Sequence, residues 1–241
     1  MSETNPKPAV KALVFDVFGT VVDWRTSVAR EVGTVAAAKG WSIDPVAFAD
    51  RWRALYQPSM DPVRRGEKPY VRLDDLHRAS LVTLFEEFGL DPLPAEELEH
   101  LNRAWHRLDP WPDCVTGLTR LKKRFILATM SNGNVALMLN MAKNAGLPWD
   151  MILGAEPARN YKPVPSVYLT GVDWLGLVPA EVMMVAAHNG DLAAARALGL
   201  RTAFIARPTE HGDKQSRDFR AEDDWDHAVN SMDELADRLG C

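Results

Sequence analysis

Ala12-Leu13-Val14-Phe15-Asp16-Val17-Phe18-Gly19-Thr20 is a short apolar run that meets an acid and then a glycine. Four apolar residues without alternation fit a strand buried on both faces of a parallel sheet. Gly19 permits the sharp turn that follows. The same grammar returns twice downstream. Phe125 to Met130 runs into Ser131-Asn132-Gly133-Asn134, then a helical stretch to Ala145, closed by Gly146. Glu181 to Ala187 runs into His188-Asn189-Gly190-Asp191, then a helix from Leu192 to Leu198, closed by Gly199. Thr202 to Ala206 is a further apolar strand, and Met232 to Leu239 reads as a terminal helix. Strand, polar turn and helix in repetition predict an α/β fold, a Rossmann-like doubly wound parallel sheet.

The segment from Trp24 to Arg107 follows another rule. Asp44 is a good helix N-cap, with Pro45 at the first helical position. Phe48, Trp52 and Leu55 share one helix face; Leu81, Leu84, Phe85 and Phe88 form a second stripe, and Leu98, Leu101, Trp105 and Leu108 a third. No strand pattern interrupts them. The expected organisation is therefore a core of residues 1–23 and 108–241 with an inserted helical domain over 24–107. Arg207 to Trp225 is charged and weakly patterned, and is expected to be a surface loop.

The 241 residues are 46% hydrophobic and 25% charged, which suits one large globular unit or a core with an insert. The net charge of −5 argues against nucleic acid as a partner. Met1 to Pro8 is polar, without the apolar segment of a secretory signal, and no apolar run is long enough to span a bilayer. Cys114 and Cys241 are the only cysteines, too few for a disulfide framework or a cysteine zinc site, so a reducing cytoplasm is the expected setting.

Ligands of open α/β sheets bind at the carboxyl ends of the strands. Those ends carry Asp16 with Thr20, Ser131 with Asn132, and Asp191; a loop adds Lys162. A single aspartate after a strand is usually a helix cap. Asp, Ser, Lys and Asp at four such places in order point to chemistry. In this arrangement, Asp16-Val17-Phe18-Gly19-Thr20-Val21-Val22-Asp23 resembles the first motif of the haloacid dehalogenase superfamily, and Ser131, Lys162 and Asp191 fall where its second to fourth motifs stand. The resemblance spans nearly the whole chain and implies a Rossmann-like core, a helical cap and an aspartate nucleophile, Asp16.

Most members of that superfamily are magnesium-dependent phosphatases, with a second aspartate two residues after the nucleophile and a carboxylate pair in the fourth motif. Here Phe18 and Ala187 stand at those places. Phenylalanine can neither give nor take a proton, and alanine supplies no oxygen to Mg²⁺. What remains resembles the L-type 2-haloacid dehalogenases. No cofactor or metal is expected. The substrate would be a small 2-haloacid and a halide the product, since halide leaves without a proton. A Mg²⁺-dependent phosphatase or phosphonate hydrolase, and a non-catalytic anion-binding protein, are the competing readings.

The resemblance implies roles by position. Thr20 orients Asp16, and Lys162 keeps it ionised. Arg53 resembles the cap arginine at the halide end; taken alone it is a solvated helix charge. Ser131, Asn132 and the start of the following helix would hold the substrate carboxylate. Val17 and Phe18 line the substrate, Tyr168 joins the network, and Asp191 activates the water. Relatives commonly form homodimers, which the apolar stripes of the insert could also serve. His188 departs from the usual asparagine and Ala186 from the usual serine. His188 is expected to face the halide, as a third N–H donor beside Arg53 and Asn132. The other histidines, His77, His100, His106, His211 and His227, read as surface or capping residues.

Overall fold

The computed structural model describes residues 8–213 and 215–241; Met1 to Lys7, most of the polar leading segment, lie outside the described residues. Strand β1 is Ala12–Phe15, and all four side chains are buried. A two-residue strand β2, Val22–Asp23, follows. Four helices come next: α1 Trp24–Lys39, α2 Pro45–Arg64, α3 Leu73–Glu87 and α4 Ala95–Asn102, then a 3-10 turn over Arg103–His106. Strand β3, Asp109–Pro110, pairs antiparallel with β2. The chain continues through α5 Cys114–Leu121, β4 Ile126–Ser131, α6 Val135–Ala145, β5 Met151–Gly154, α7 Ala155–Ala158 and α8 Pro165–Trp174. It ends with β6 Val182–Ala186, α9 Asn189–Ala197, β7 Arg201–Ile205, β8 His227–Val229 and α10 Met232–Arg238.

Six strands form one parallel sheet in the order β5-β4-β1-β6-β7-β8. Phe15 pairs with Thr129 on one side and Val185 on the other, so the three strands reach their carboxyl ends together. The connections depart to either side of β1, which makes its end the switch point where such sheets open a crevice. The alternation of a strand sorts β1 between two apolar layers. Leu13 and Phe15 join a cluster with Trp52, Leu84 and Trp105 of the helical segment; Ala12 and Val14 join another with Val167, Tyr168 and Leu192.

The helices of the insert start and stop where local chemistry demands. Asp23 accepts from the Thr26 amide at 3.0 Å and Asp44 from the Val46 amide at 2.9 Å, satisfying otherwise orphaned donors. The β2–β3 ribbon that closes the insert on itself has two residues per strand, too few for any alternation to register in the sequence. Helix α9 begins at Asn189, ahead of the expected Leu192, because the His188 carbonyl accepts from the amides of Asp191 and Leu192. Among the described residues no helix is long and apolar enough to cross a membrane.

Two expectations about histidine fail. His77 is buried, its ring stacked on Trp105 with centroids 4.4 Å apart, and burial holds its pKa down at about 3. An imidazole kept neutral this way packs as an aromatic ring. His106 is also buried; its Nε2 lies 2.9 Å from Asp74 Oδ1 and its Nδ1 3.0 Å from Asn140 Nδ2. It ties the insert to helix α6.

Candidate active site

Asp16 follows β1 directly, and its amide donates to the Val185 carbonyl at 3.0 Å, which continues the sheet register by one residue. The side chain is thereby aimed out of the sheet's end. Gly19 then turns the chain at φ +84, a conformation that L side chains avoid. A cavity of about 330 Å³ opens there, lined by Asp16, Phe18, Arg53, Asn132, Lys162 and His188 among others.

Lys162 reaches between two carboxylates. Its Nζ donates to Asp16 Oδ1 at 2.9 Å and also to Asp191 Oδ2. Tyr168 donates its hydroxyl to Asp191 Oδ1 at 2.5 Å. Thr20 Oγ1 donates to Asp16 Oδ2 at 2.7 Å. Burial by itself would push Asp16 up, but the Lys162 ammonium and the His188 imidazole outweigh it and hold the carboxyl far below the usual range. Burial would lower Lys162; Asp16 and Asp191 raise it above its ordinary value. Burial and the Asp16 charge raise Asp191 despite Lys162. One buried carboxylate is thus fixed as the anion and its neighbour is made more basic. That division suits a nucleophile beside a proton acceptor.

Arg53 joins the cavity lining from α2. Its guanidinium lies 4.1 Å from the Tyr56 ring centroid and 5.3 Å from that of Trp24, while Nη1 is buried without a hydrogen-bond partner among the described residues. A cation packed against aromatic faces with an unused N–H is a donor held ready for an anion. Asn132 Oδ1 accepts from the Lys162 amide at 2.8 Å, which leaves its Nδ2 as the group available to the pocket it lines.

Three of the expected substrate contacts are placed differently. Ser131 is buried and absent from the pocket wall; its Oγ accepts from the Gly133 amide at 3.2 Å, so it stabilises the turn. The Val135 amide, at the start of α6, is taken by Glu156 Oε2 at 2.7 Å. Val17 packs in the core, and its carbonyl accepts from the amides of Val21 and Val22. Phe18, in contrast, does line the cavity.

His188 lines the cavity but does not offer its ring to a halide. Nδ1 lies 3.0 Å from Asp16 Oδ2 and Nε2 lies 3.0 Å from Glu210 Oε2. Burial would lower its pKa; Glu210 and Asp16 together raise it well above the ordinary value. Glu210 is the group that the sequence reading missed. It belongs to the segment 207–225 expected to be surface loop, yet it is 1% exposed. Its Oε1 accepts from Trp24 Nε1 at 3.0 Å, and although burial raises its pKa, His188 brings it down to about 2. Arg207 is buried as well, donating to the Thr20 carbonyl at 2.9 Å and pairing with Asp113 at 2.9 Å. His211, Arg217 and Asp218 of the same segment line the cavity.

The donor set does not suit a divalent ion. The Phe18 and Ala187 side chains carry no oxygen, and the Lys162 ammonium already bridges Asp16 and Asp191. Among the described residues, no group of three or more His, Cys, Asp or Glu is placed to hold a metal.

Comparison with known proteins identifies a family. The haloacid dehalogenase-like hydrolase family matches residues 10–199. An (S)-2-haloacid dehalogenase of Xanthobacter autotrophicus is 30% identical over 203 residues, covering 82% of this chain and 76% of that protein. Among solved structures, a defluorinating L-2-haloacid dehalogenase superposes with a TM-score of 0.95 at 52% identity, covering 96% of both chains. A second L-2-haloacid dehalogenase superposes with a TM-score of 0.93 at 50% identity, covering 96% of this chain and 99% of that one. With its parallel core and its aspartate after the first strand, the chain belongs to the haloacid dehalogenase-like hydrolases and, within them, to the L-2-haloacid dehalogenases.

Proposed function

We propose that this enzyme hydrolyses short (S)-2-haloalkanoic acids to (R)-2-hydroxy acids through an ester on Asp16, without a metal, and that haloacetates including fluoroacetate are among its substrates. The observation that carries the reading is the Asp16 carboxylate, buried, held as the anion by Lys162, and lining a cavity that Arg53 also lines, with its Nη1 free of hydrogen-bond partners among the described residues. Asp16 attacks C2 from the side opposite the halogen; the C–O bond forms as the carbon–halogen bond breaks, and the halide leaves with the electron pair toward Arg53. Backside attack inverts C2. Water then opens the ester at the Asp16 carbonyl and leaves C2 untouched. The helical segment 24–107 acts as a cap in this scheme, because α2 supplies Arg53, Tyr56 and Gln57 to the cavity.

The walls favour small substrates. No aliphatic side chain other than Pro163 is among the described residues lining the cavity; Gln57, Arg64, His211, Arg217 and Asp218 are polar. A long alkyl chain would desolvate them for no return. A haloacetate dehalogenase of Moraxella, 25% identical over 201 residues, and the defluorinating relative give the same direction.

The test is halide release from chloro-, bromo- and fluoroacetate and from each enantiomer of 2-chloropropionate, with and without EDTA. Release from the haloacetates and from the (S) enantiomer with inversion, unchanged by EDTA, is expected. Preference for the (R) enantiomer, retention at C2, or hydrolysis of a phosphate ester that needs Mg²⁺ would contradict the reading.

A further inference from the structure

The two oxygens of Asp16 keep different company. Among the described residues Oδ1 has one protein donor, Lys162 Nζ. Oδ2 has two neighbours that can donate, Thr20 Oγ1 at 2.7 Å and His188 Nδ1 at 3.0 Å. The direction of the first bond is fixed by a third contact. Thr20 Oγ1 accepts from the Ala187 amide at 2.9 Å, so its hydroxyl hydrogen is turned to Asp16. The second is fixed by hydrogen-bond inventory. His188 stands between Asp16 and Glu210, and ionised carboxylates only accept. Both ring nitrogens must therefore carry hydrogen, which makes His188 an imidazolium.

Resting on the dehalogenase reading above, we propose that Oδ1 is the attacking oxygen and that Thr20 and His188 form an oxyanion hole around Oδ2 for the hydrolysis of the ester, with Glu210 as the residue that positions His188 and keeps it charged. After Oδ1 has bonded to C2, Oδ2 is the ester carbonyl oxygen. Water attacks Cγ of Asp16 and passes a proton to Asp191; the carbonyl electron pair moves onto Oδ2. Charge now develops on the atom that already faces two aligned donors, one of them cationic. As the intermediate collapses, the Oδ1–Cγ bond breaks and Oδ1 departs in the product, taking a proton from Lys162. Asp191 returns its proton to Lys162. The carboxylic acid left on Asp16 loses its proton to solvent, the counterpart of the halide released earlier.

Glu210 is built in rather than incidental. Its second oxygen is held by Trp24 Nε1 at 3.0 Å, with His211 Nε2 3.6 Å away. A methyl group at Gly19 would fall inside its carboxylate, so the first motif leaves room for it. Arg53 and His211 also help to hold Glu210 down, burial lowers His211 itself, and Glu210 and Asp16 are the charges that raise His188.

The experiment is rapid-quench kinetics on chloroacetate with enzyme in excess, following halide release and the carboxymethyl adduct on Asp16 by mass spectrometry, for the wild type, His188→Asn and Glu210→Gln. In both variants hydrolysis of the ester should be slowed about a hundredfold or more and by a larger factor than the first release of halide, so that the ester accumulates. Asparagine keeps a donor without the charge, and Glu210→Gln keeps the ring without its carboxylate partner, so the two should agree. Thermal unfolding checks that each is folded. Ester hydrolysis at the wild-type rate in either folded variant, or loss of the first halide burst without ester accumulation, overturns the proposal. Absence of halide release from the wild type on any haloacid would instead defeat the dehalogenase reading itself.

Discussion

Replacing Lys162 by methionine removes the cation from between two buried carboxylates while keeping the volume. In the wild type, Nζ stands 2.9 Å from Asp16 Oδ1, and the Lys162, Asp16 and Asp191 side chains are each no more than a tenth exposed. At that separation and an effective dielectric of about 20, one such pair is worth about 6 kcal/mol of Coulomb energy. Protonation of one carboxyl limits the loss on mutation, and breaking a buried pair typically costs about 3–5 kcal/mol. For a chain of this size that lowers Tm by about 6–20 °C. The sign with pH is definite. Without Lys162 the Asp191 carboxyl, already raised by burial and the Asp16 charge, titrates still further above its unfolded value, so the variant loses stability as pH rises through the raised value. The wild-type Asp16, depressed by Lys162, contributes stability above its unfolded value and loses it as pH falls. The gap in Tm between the two proteins, measured by calorimetry, should therefore widen from about pH 5 to about pH 8. First-turnover halide release should fall steeply, because His188 is left to hold Asp16 as the anion against burial and the Asp191 charge. A gap of a degree or two that does not change with pH, or a folded variant with an intact halide burst, would refute the reasoning.

Gly19→Ala should cost about 1–2 kcal/mol from its left-handed backbone alone, more as Glu210 is displaced, and should slow ester hydrolysis more than alkylation; Tm and rapid-quench measurements check both. Hydrolysis of the ester should fall as pH rises through the pKa of His188, which Glu210 still raises once Asp16 is esterified, whereas alkylation should be level there, because Asp16 stays ionised; single-turnover profiles of the two steps separate them. Tyr168→Phe leaves Asp191 Oδ1 without its hydroxyl donor and should cost about 1–3 kcal/mol of stability while sparing the halide burst.

Much of the fold is legible where one short segment carries its own signal. Ala12 to Phe15 is unbroken apolar sequence because β1 lies inside the sheet, covered on both faces. The stripes through Phe48 and Trp52, or Leu81 and Leu84, mark helices because each packs one face. Asp16, Lys162 and Asp191 are recognisable because the ends of parallel strands collect ligands. Glu210 and Arg207 are illegible for the opposite reason. A buried charge looks like any surface charge until its partners arrive, and those partners, His188 and Trp24 or Asp113, come from distant segments. His77 fails similarly, since only the fold reveals the Trp105 ring beside it. His188 could be singled out by its place, but not which way its ring would face. The partners that settle its direction are Asp16 on one side and the unforeseen Glu210 on the other.

The central claim is that Asp16 forms the ester and water opens it at Cγ. Single-turnover conversion of chloroacetate in heavy-oxygen water, with the peptide containing Asp16 and the product glycolate both weighed by mass spectrometry, tests it most directly. The account predicts one heavy oxygen in the Asp16 carboxylate and none in the glycolate hydroxyl. Heavy oxygen in the hydroxyl after the first turnover, with Asp16 unlabelled, would mean that water attacks the substrate carbon directly and that Asp16 is not the nucleophile.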